Sequence, residues 1–155
     1  PYQYPEKFIP LFITHALEDK DLPLYGEGAN VRDWLYVEDH CRALDAVMRK
    51  GKPGEVYNIG ADNEVRNIDV AEAIVDLLEK PRSLIKFVAD RLGHDRRYAL
   101  NCEKIHSLGW RPDKDFKQAL AFTVRWYQEH PEWWRKIKEK SRDFREFYSK
   151  YYDKR

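Results

Sequence analysis

The sequence lacks long apolar runs, clustered cysteines and a glycine-rich phosphate loop. No stretch approaches the roughly 20 apolar residues of a membrane-spanning helix, and no basic segment followed by an apolar one opens the chain. Cys41 and Cys102 have no metal-ligand spacing, so reduced thiols are expected rather than a disulfide framework or a metal site. No Gly-x-Gly-x-x-Gly pattern occurs, which excludes that form of dinucleotide site from the chain. These absences predict a soluble, cytoplasmic protein.

Charge of neither sign dominates the chain. The 28 Lys and Arg residues oppose 27 Asp and Glu residues, so the net charge is +1. No overall field would therefore draw the protein to nucleic acid or to anionic lipid. A hydrophobic content of 43%, with 14% aromatic residues, is typical of a globular protein.

The segment from Glu132 to Arg155 departs from this balance, because nine basic residues against five acidic ones give it a local charge of +4. We interpret residues 131–155 as an amphipathic basic and aromatic C-terminal helix, and residues 1–130 as the main globular region. The interspersed acids favour a solvated helix packed on protein over binding to nucleic acid or a membrane. Its predicted apolar stripe comprises Trp133, Ile137, Phe144, Phe147, Tyr148 and Tyr151.

Hydrophobic spacing predicts an α/β chain that is rich in helices and has a few short strands. Helices are expected over 6–19, 39–50, 68–79 and 116–130, with a short one after Asn101. Within 39–50, the residues expected to face inward are Leu44, Val47 and Met48. Strands are expected at 22–25, 56–60 and 84–89, and Asn67 stands where a helix N-cap belongs.

Four segments carry the most distinctive residue patterns. Residues 31–40 read Val-Arg-Asp-Trp-Leu-Tyr-Val-Glu-Asp-His, which combines aromatic residues with charges that a core would not choose. Residues 1–10 read Pro-Tyr-Gln-Tyr-Pro-Glu-Lys-Phe-Ile-Pro, residues 54–60 read Gly-Glu-Val-Tyr-Asn-Ile-Gly, and residues 90–98 read Asp-Arg-Leu-Gly-His-Asp-Arg-Arg-Tyr. In order and spacing these segments resemble the dTDP-glucose 4,6-dehydratase family of the extended short-chain dehydrogenase/reductase superfamily. Segments 31–40 and 54–60 point only to the superfamily, whereas 90–98 and 2–7 favour this family.

The resemblance implies a set of residues that bind a nucleotide-diphosphate sugar. Guanidinium groups match the geometry of diphosphate oxygens, and an aromatic or apolar face with a few polar groups suits a thymine ring. The implied substrate-binding residues are Lys7, Phe8, Pro23, Leu24, Tyr25, Arg32, Asn67, Asp90, Arg91, Leu92, Gly93 and His94. Many family members have proline at the position of Leu92, so its presence here implies a looser loop.

Each of these residues also has a purely structural interpretation. Residues 23–25 suit a packed strand, and Asn67 suits a helix cap. Arg32 could pair with Asp33, and the charges of 90–97 could form a salt-bridge lattice. His94, which has no evident orienting partner in the sequence, is interpreted as a hydrogen-bonding residue rather than as a catalytic base.

The resemblance also implies what the rest of the enzyme contains. In this superfamily an N-terminal Rossmann domain holds NAD, a Tyr-x-x-x-Lys pair and, in the dehydratases, an Asp-Glu pair. No Tyr-x-x-x-Lys occurs here, and the chain begins at Pro1 without an initiator Met. We therefore expect a C-terminal substrate-binding lobe without catalytic residues, inactive and prone to self-association alone, belonging to a homodimeric enzyme of the rhamnose pathway. Its reaction would be oxidation of dTDP-glucose by NAD, dehydration and re-reduction to dTDP-4-keto-6-deoxyglucose.

Two other functions are compatible with the same residues. The chain could belong to an epimerase or dehydratase that acts on UDP- or GDP-sugars, although the narrower pattern at 90–98 disfavours this. It could instead be a module that binds RNA or a protein partner through its basic, aromatic C-terminal helix.

Overall fold

A computed structural model describes residues 1–140 together with residues 146 and 149. Within that part of the chain, no helix is long and apolar enough to cross a membrane. The elements follow in the order α1 (Phe8–Leu17), β1 (Leu22–Tyr25), β2 (Val31–Asp33), α2 (Val37–Lys50), β3 (Glu64–Arg66), α3 (Asn67–Leu77), a 3₁₀ turn (Arg82–Leu84), β4 (Ile85–Val88), α4 (Glu103–His106), α5 (Phe116–Glu129) and α6 (Pro131–Lys140).

The chain divides into two compact units. The first unit comprises Pro1–Ala29, Asn67–His94 and the described part of Ala121–Arg155, and the second comprises Asn30–Arg66 and Asp95–Leu120. The expected helix-rich α/β architecture with a few short strands is confirmed.

The first unit is built on the parallel pairing of β1 with β4, in which Leu22 lies opposite Ile85 and Tyr25 opposite Val88. Parallel neighbours need a long connection, and α3 lies between the two strands in sequence. Helix α1 packs against both α3 and β1. Its residues from Pro10 to Ala16 are all buried, because apolar side chains cover most of its circumference.

The start and the end of the first unit are in contact. The Tyr127 hydroxyl donates a hydrogen bond to the carbonyl of Gln3 at 2.7 Å, and the Trp134 indole N–H donates to the carbonyl of Tyr127 at 2.9 Å. Burial raises the pKa of Tyr127, which keeps its hydroxyl protonated as a donor. Lys138 on α6 lies 2.6 Å from Glu18, just beyond α1.

The predicted stripe of the C-terminal helix is incomplete within α6: Trp133 does pack against the rings of Tyr2 and Trp126, but the prediction omitted Trp134. Trp134 is the buried residue, at 1% exposure, whereas Trp133 and Ile137 are only partly buried. The difference arises because α6 packs through the side that carries Trp134 and Lys138, and the lysine is held by Glu18. The remaining predicted stripe residues (Phe144, Phe147, Tyr148 and Tyr151) lie outside the described residues.

The second unit contains the antiparallel pair β2 and β3, with Val31 opposite Arg66 and Asp33 opposite Glu64. The sequence did not indicate β3, and the strand predicted at 56–60 is wrong because that segment joins no sheet. A small apolar core, formed by Ala43, Cys102, Ile105 and Trp110, lies beside partly buried residues that include Tyr57 and Ile59.

Helix α2 begins at Val37 rather than at Asp39. Of its predicted inward residues, Val47 packs against the core of this unit, but the prediction is wrong for Leu44 and Met48. Leu44 is 51% exposed and Met48 is 80% exposed, whereas Ala43 is buried. Ala43, Ala46 and Val47 face the core of this unit, whereas the larger Leu44 and Met48 lie on an outer stripe. We call Val37, Cys41, Leu44 and Met48, spaced at i, i+4, i+7 and i+11, the α2 stripe.

His15 provides a test of the packing in the first unit. Burial lowers the pKa of His15 to about 4, although its Nδ1 bonds the carbonyl of Asp21. Between pH 6.5 and 4 the unfolded chain binds a proton that the folded chain does not, so stability falls as the pH falls through this window. The expected loss is about 3 kcal/mol.

The measurement is urea unfolding of the chain at several pH values. His15→Asn should flatten the dependence between pH 6.5 and 4, whereas His40→Asn, which replaces an exposed histidine, should leave it unchanged. Equal slopes for the parent chain and His15→Asn would contradict the assignment.

Candidate functional site

Arg32 lies on β2 in the second unit and is held by neutral groups. Its Nη1 donates to the Val31 carbonyl at 2.7 Å, and its Nη2 donates to the Asp95 carbonyl at 2.9 Å. Its Cζ lies 4.1 Å from the centroid of the Tyr98 ring. The guanidinium is therefore fixed in place, and no carboxylate among the described residues pairs with it.

Asp33 does not pair with Arg32. Its Oδ2 accepts the N–H of Ala61 and its Oδ1 accepts the N–H of Asn63, each at 2.9 Å. A Cβ on Gly60 would lie 2.3 Å from Oδ2, so only glycine fits beside this carboxylate. Asp33 thus fixes the turn before β3, and the ion-pair interpretation of Arg32 is wrong.

The salt-bridge lattice considered for 90–97 is also not formed. Arg97 pairs with Glu64 through two hydrogen bonds, Nε to Oε2 at 2.6 Å and Nη2 to Oε1 at 2.8 Å. These bonds hold the pKa of Glu64 below its ordinary value. Arg97 therefore ties its segment to β3, which distinguishes it from Arg32.

In the first unit, Pro23, Leu24 and Tyr25 lie on β1. Leu24 is 1% exposed and belongs to the core, whereas Pro23 and Tyr25 alternate with it and are partly exposed. Leu24 also explains why the turn that follows has glycine at position 28, because a Cβ there would lie 2.6 Å from Leu24 Cδ2. The side chains of Pro23 and Tyr25 are therefore accessible to a ligand. The side chain of Leu24 is not, so Leu24 could contact a ligand only through its backbone.

Asn67 is the first residue of α3 and is 8% exposed. Its side-chain Oδ1 is buried and has no hydrogen-bond partner among the described residues, so the predicted N-cap bond is wrong. The adjacent amide of Ile68 donates instead to the carbonyl of Gly28 at 3.0 Å. A buried acceptor without a partner is costly, and such atoms occur where a ligand supplies the missing donor.

The loop from Asp90 to His94 is organised by the carboxylate at its start. Asp90 Oδ1 bonds His94 Nδ1 at 2.6 Å and accepts the N–H of Arg91 at 2.8 Å. The hydrogen bond from His94 is the main factor that lowers the pKa of Asp90. His94 also meets the ring of Tyr25 edge-on, with centroids 5.9 Å apart.

The carboxylate of Asp90 therefore orients the His94 imidazole, which is the partner that the sequence did not reveal. Leu92 is fully exposed, and Gly93 has a φ of +68° at a position where an added Cβ would meet no atom within 4 Å. The tip of the loop is thus free of packing within the described residues, while its two ends are joined by the Asp90–His94 bond.

Lys7 and Phe8 lie at the start of α1. The Lys7 ammonium is 2.9 Å from Glu6, and the Phe8 ring packs against Phe12 with centroids 4.1 Å apart. The binding roles of both residues stay predictions. Among the described residues, no group of His, Cys, Asp and Glu side chains is arranged to hold a metal ion.

Comparisons with known proteins agree with this arrangement. The model of the family described as GDP-mannose 4,6 dehydratase matches residues 1–123. The chain therefore belongs to this family of extended short-chain dehydrogenases/reductases, and the superfamily resemblance of the sequence motifs is confirmed.

Within that group, the chain is similar to dTDP-glucose 4,6-dehydratases. It is 53% identical to dTDP-glucose 4,6-dehydratase 1 of Escherichia coli K12 over 86% of this chain and 39% of that protein. A crystal structure of dTDP-glucose 4,6-dehydratase from Bacillus anthracis in complex with NAD gives a TM-score of 0.84 and 56% identity, over 88% of this chain and 44% of that one. An epimerase of Methanothermobacter thermautotrophicus gives a TM-score of 0.78 and 31% identity, over 88% of this chain and 40% of that one. The chain thus spans about two fifths of its relatives' length.

The buried amide of Asn67 gives a test that needs no catalysis. Asn67→Leu removes an unpartnered buried oxygen, so the ligand-free chain should become more stable by about 1 kcal/mol. Asn101→Leu is the matched control, because Asn101 Oδ1 accepts the amide of Glu103 at 2.9 Å and its loss should be destabilising. Urea midpoints measure both variants. Destabilisation by Asn67→Leu as large as that by Asn101→Leu would contradict the assignment.

Proposed function

We propose that this chain is the substrate-binding part of a dTDP-glucose 4,6-dehydratase, which converts dTDP-glucose to dTDP-4-keto-6-deoxyglucose with net loss of water. The observation that carries the proposal is the 53% identity to a named dTDP-glucose 4,6-dehydratase over 86% of the chain. The proposed substrate-binding residues are Lys7, Phe8, Pro23, Leu24, Tyr25, Arg32, Asn67, Asp90, Arg91, Leu92, Gly93 and His94.

In this proposal Arg32 binds the diphosphate. A diphosphate concentrates negative charge on oxygens that a guanidinium can contact in pairs. Within the described part of the chain, the Arg32 guanidinium is positioned without a carboxylate partner. Arg97 is a poorer candidate because Glu64 already occupies its Nε and Nη2.

The nucleoside is proposed to contact the groups around β1. Pro23 and Tyr25 supply partly exposed apolar and aromatic faces, and the unpartnered Oδ1 of Asn67 accepts a hydrogen bond from the ligand. The loop of Asp90 to His94 adds an exposed arginine, Arg91, and an oriented imidazole. In this proposal the neutral base ring contacts apolar, aromatic and amide groups, whereas the charged diphosphate contacts a guanidinium.

NAD and the catalytic groups are proposed to lie in the part of the enzyme that this chain does not span. NAD binding in Rossmann domains uses a glycine-rich turn at a helix start, and neither that pattern nor Tyr-x-x-x-Lys occurs in the sequence. The residues present here therefore do not fit NAD. Their contribution is to anchor the nucleotide end of the substrate, which uses binding energy to orient the distant sugar ring.

The α2 stripe supports the proposal of a partner domain from the same enzyme. Cys41, Leu44 and Met48 are exposed apolar residues that continue from Val37 along one side of a helix. The relatives extend well beyond the length matched here, and we propose that a Rossmann domain in the remaining length covers the α2 stripe. We further propose that the intact enzyme is a cytoplasmic homodimer of the rhamnose pathway, as the family resemblance implies.

An epimerase or dehydratase that acts on UDP- or GDP-sugars is the competing function. The similarity to the Methanothermobacter epimerase, at 31% identity, extends over the same share of this chain as that to the Bacillus anthracis dehydratase, at 56%. The higher identity favours the dehydratase.

Nucleotide specificity tests the proposed function directly. We expect dTDP to raise the thermal unfolding temperature of the full-length protein more than UDP or GDP at the same concentration, because ligands stabilise the state that binds them. Differential scanning calorimetry measures the shift. Preferential stabilisation by UDP would support the epimerase and defeat the dehydratase assignment.

The α2 stripe predicts how the 155-residue chain behaves alone. Its exposed apolar residues should cause self-association, and replacing Leu44 and Met48 together by Glu should reduce it, as light scattering would show. Arg49→Glu with Lys52→Glu, which alters exposed polar positions nearby, should have a smaller effect. A monodisperse monomer of the parent chain would contradict the prediction.

A further inference from the structure

Tyr98 is held at both ends beneath the guanidinium of Arg32. Its backbone N–H donates to the carbonyl of Val31 at 3.1 Å, and its hydroxyl donates to Asp95 Oδ2 at 2.5 Å. The Arg32 Cζ lies 4.1 Å from the ring centroid. An aromatic ring fixed at its backbone and at its tip presents its π face in one orientation.

The same two neighbours also hold Arg32 itself. Val31 and Asp95 provide the carbonyls that accept from Nη1 and Nη2, and the Asp95 carbonyl additionally accepts from the Asn30 amide at 3.2 Å. A guanidinium has five N–H donors, so three remain outside these two bonds.

This restraint differs in kind from an ion pair. Arg97, one residue before Tyr98, is fixed by Glu64, which neutralises its charge. Arg32 is fixed by two carbonyls and a π face, and the nearby Asp95 carboxylate is engaged by the Tyr98 hydroxyl. The restraint therefore orders the side chain and preserves its positive charge for an anion.

We infer that Tyr98, supported by Asp95, is a positioning residue that pre-orients Arg32 for the substrate diphosphate. The inference rests on the proposed function of Arg32. An unrestrained arginine loses rotamer freedom when it binds, and a ring that already holds it reduces that cost. Tyr98 acts through Arg32, so its contribution depends on the phosphates and not on the base.

The experiment compares the affinities of the full-length protein for dTDP and thymidine by isothermal titration calorimetry. Tyr98→Leu removes the ring and should weaken dTDP binding about three- to tenfold, with thymidine binding unchanged. Tyr98→Phe keeps the ring and should retain most of the affinity. Tyr36→Leu, which removes a ring 5.5 Å from the ammonium of Lys114, is the matched control and should leave both affinities unchanged.

Arg32→Ala completes a double-mutant cycle. On that background Tyr98→Leu should cause no further loss of dTDP affinity, because the group that it positions is gone. A further loss of the same size would overturn the inference, and so would an equal loss of thymidine and dTDP affinity in Tyr98→Leu or a similar loss in Tyr36→Leu.

The two proposals fail in different ways. If the parent protein binds UDP in preference to dTDP, or binds neither, the dehydratase assignment fails. If it binds dTDP and Tyr98→Leu binds dTDP equally well, the dehydratase assignment stands and only the positioning role is overturned.

Discussion

The two amide hydrogen bonds that Asp33 accepts determine the geometry of the second unit. They tie the turn at Ala61 and Asn63 to the end of β2, immediately after Arg32. Hydrogen bonds to a carboxylate are stronger than those between neutral groups, and the carboxylate occupies the space that a side chain at position 60 would need. The pairing of β2 with β3, and with it the backbone position of Arg32, depends on this one acidic side chain.

The charged residues near this strand pair differ in how their charges are balanced. Asp33 is satisfied by backbone amides, and Arg97 is neutralised by Glu64. Arg32 alone of these three is restrained by neutral groups. These charged residues thus have separate roles, because an arginine already paired with a carboxylate attracts an anionic ligand less strongly than an unpaired one.

The sequence predicted the elements whose patterns depend on local chemistry. The periodic helix expected over 116–130 is Phe116–Glu129, and the strand expected over 84–89 is Ile85–Val88. The predicted strand at 56–60 failed because Tyr57 and Ile59 pack beside a core without a neighbouring strand, while Val56 is exposed. Strand β3 carries charged residues at both ends, Glu64 and Arg66, and its pairing with β2 leaves no periodic signal in three residues.

The candidate site was predictable in part. Motifs singled out Arg32, Asn67 and the 90–94 loop, but spacing cannot show that Asn67 Oδ1 lacks a partner or that Asp90 orients His94. Tyr98 was visible only as the last residue of a motif, because its contact with Arg32 joins segments that are distant in sequence. Leu44 and Met48 of α2 were wrongly predicted to face inward for a related reason: hydrophobicity identifies an apolar face but not the surface that covers it.

The discontinuous first unit imposes an order on folding. The bond between Tyr127 and Gln3 joins residues 124 positions apart, and the pair of Lys138 with Glu18 spans 120 positions. During synthesis, Gln3 and Glu18, which flank α1, cannot make these contacts until Tyr127 on α5 and Lys138 on α6 have been added, whereas the second unit closes over shorter stretches of chain. Contacts of such long sequence separation slow folding, and they leave the segments that flank α1 without these partners after α1 has already packed on β1 and α3.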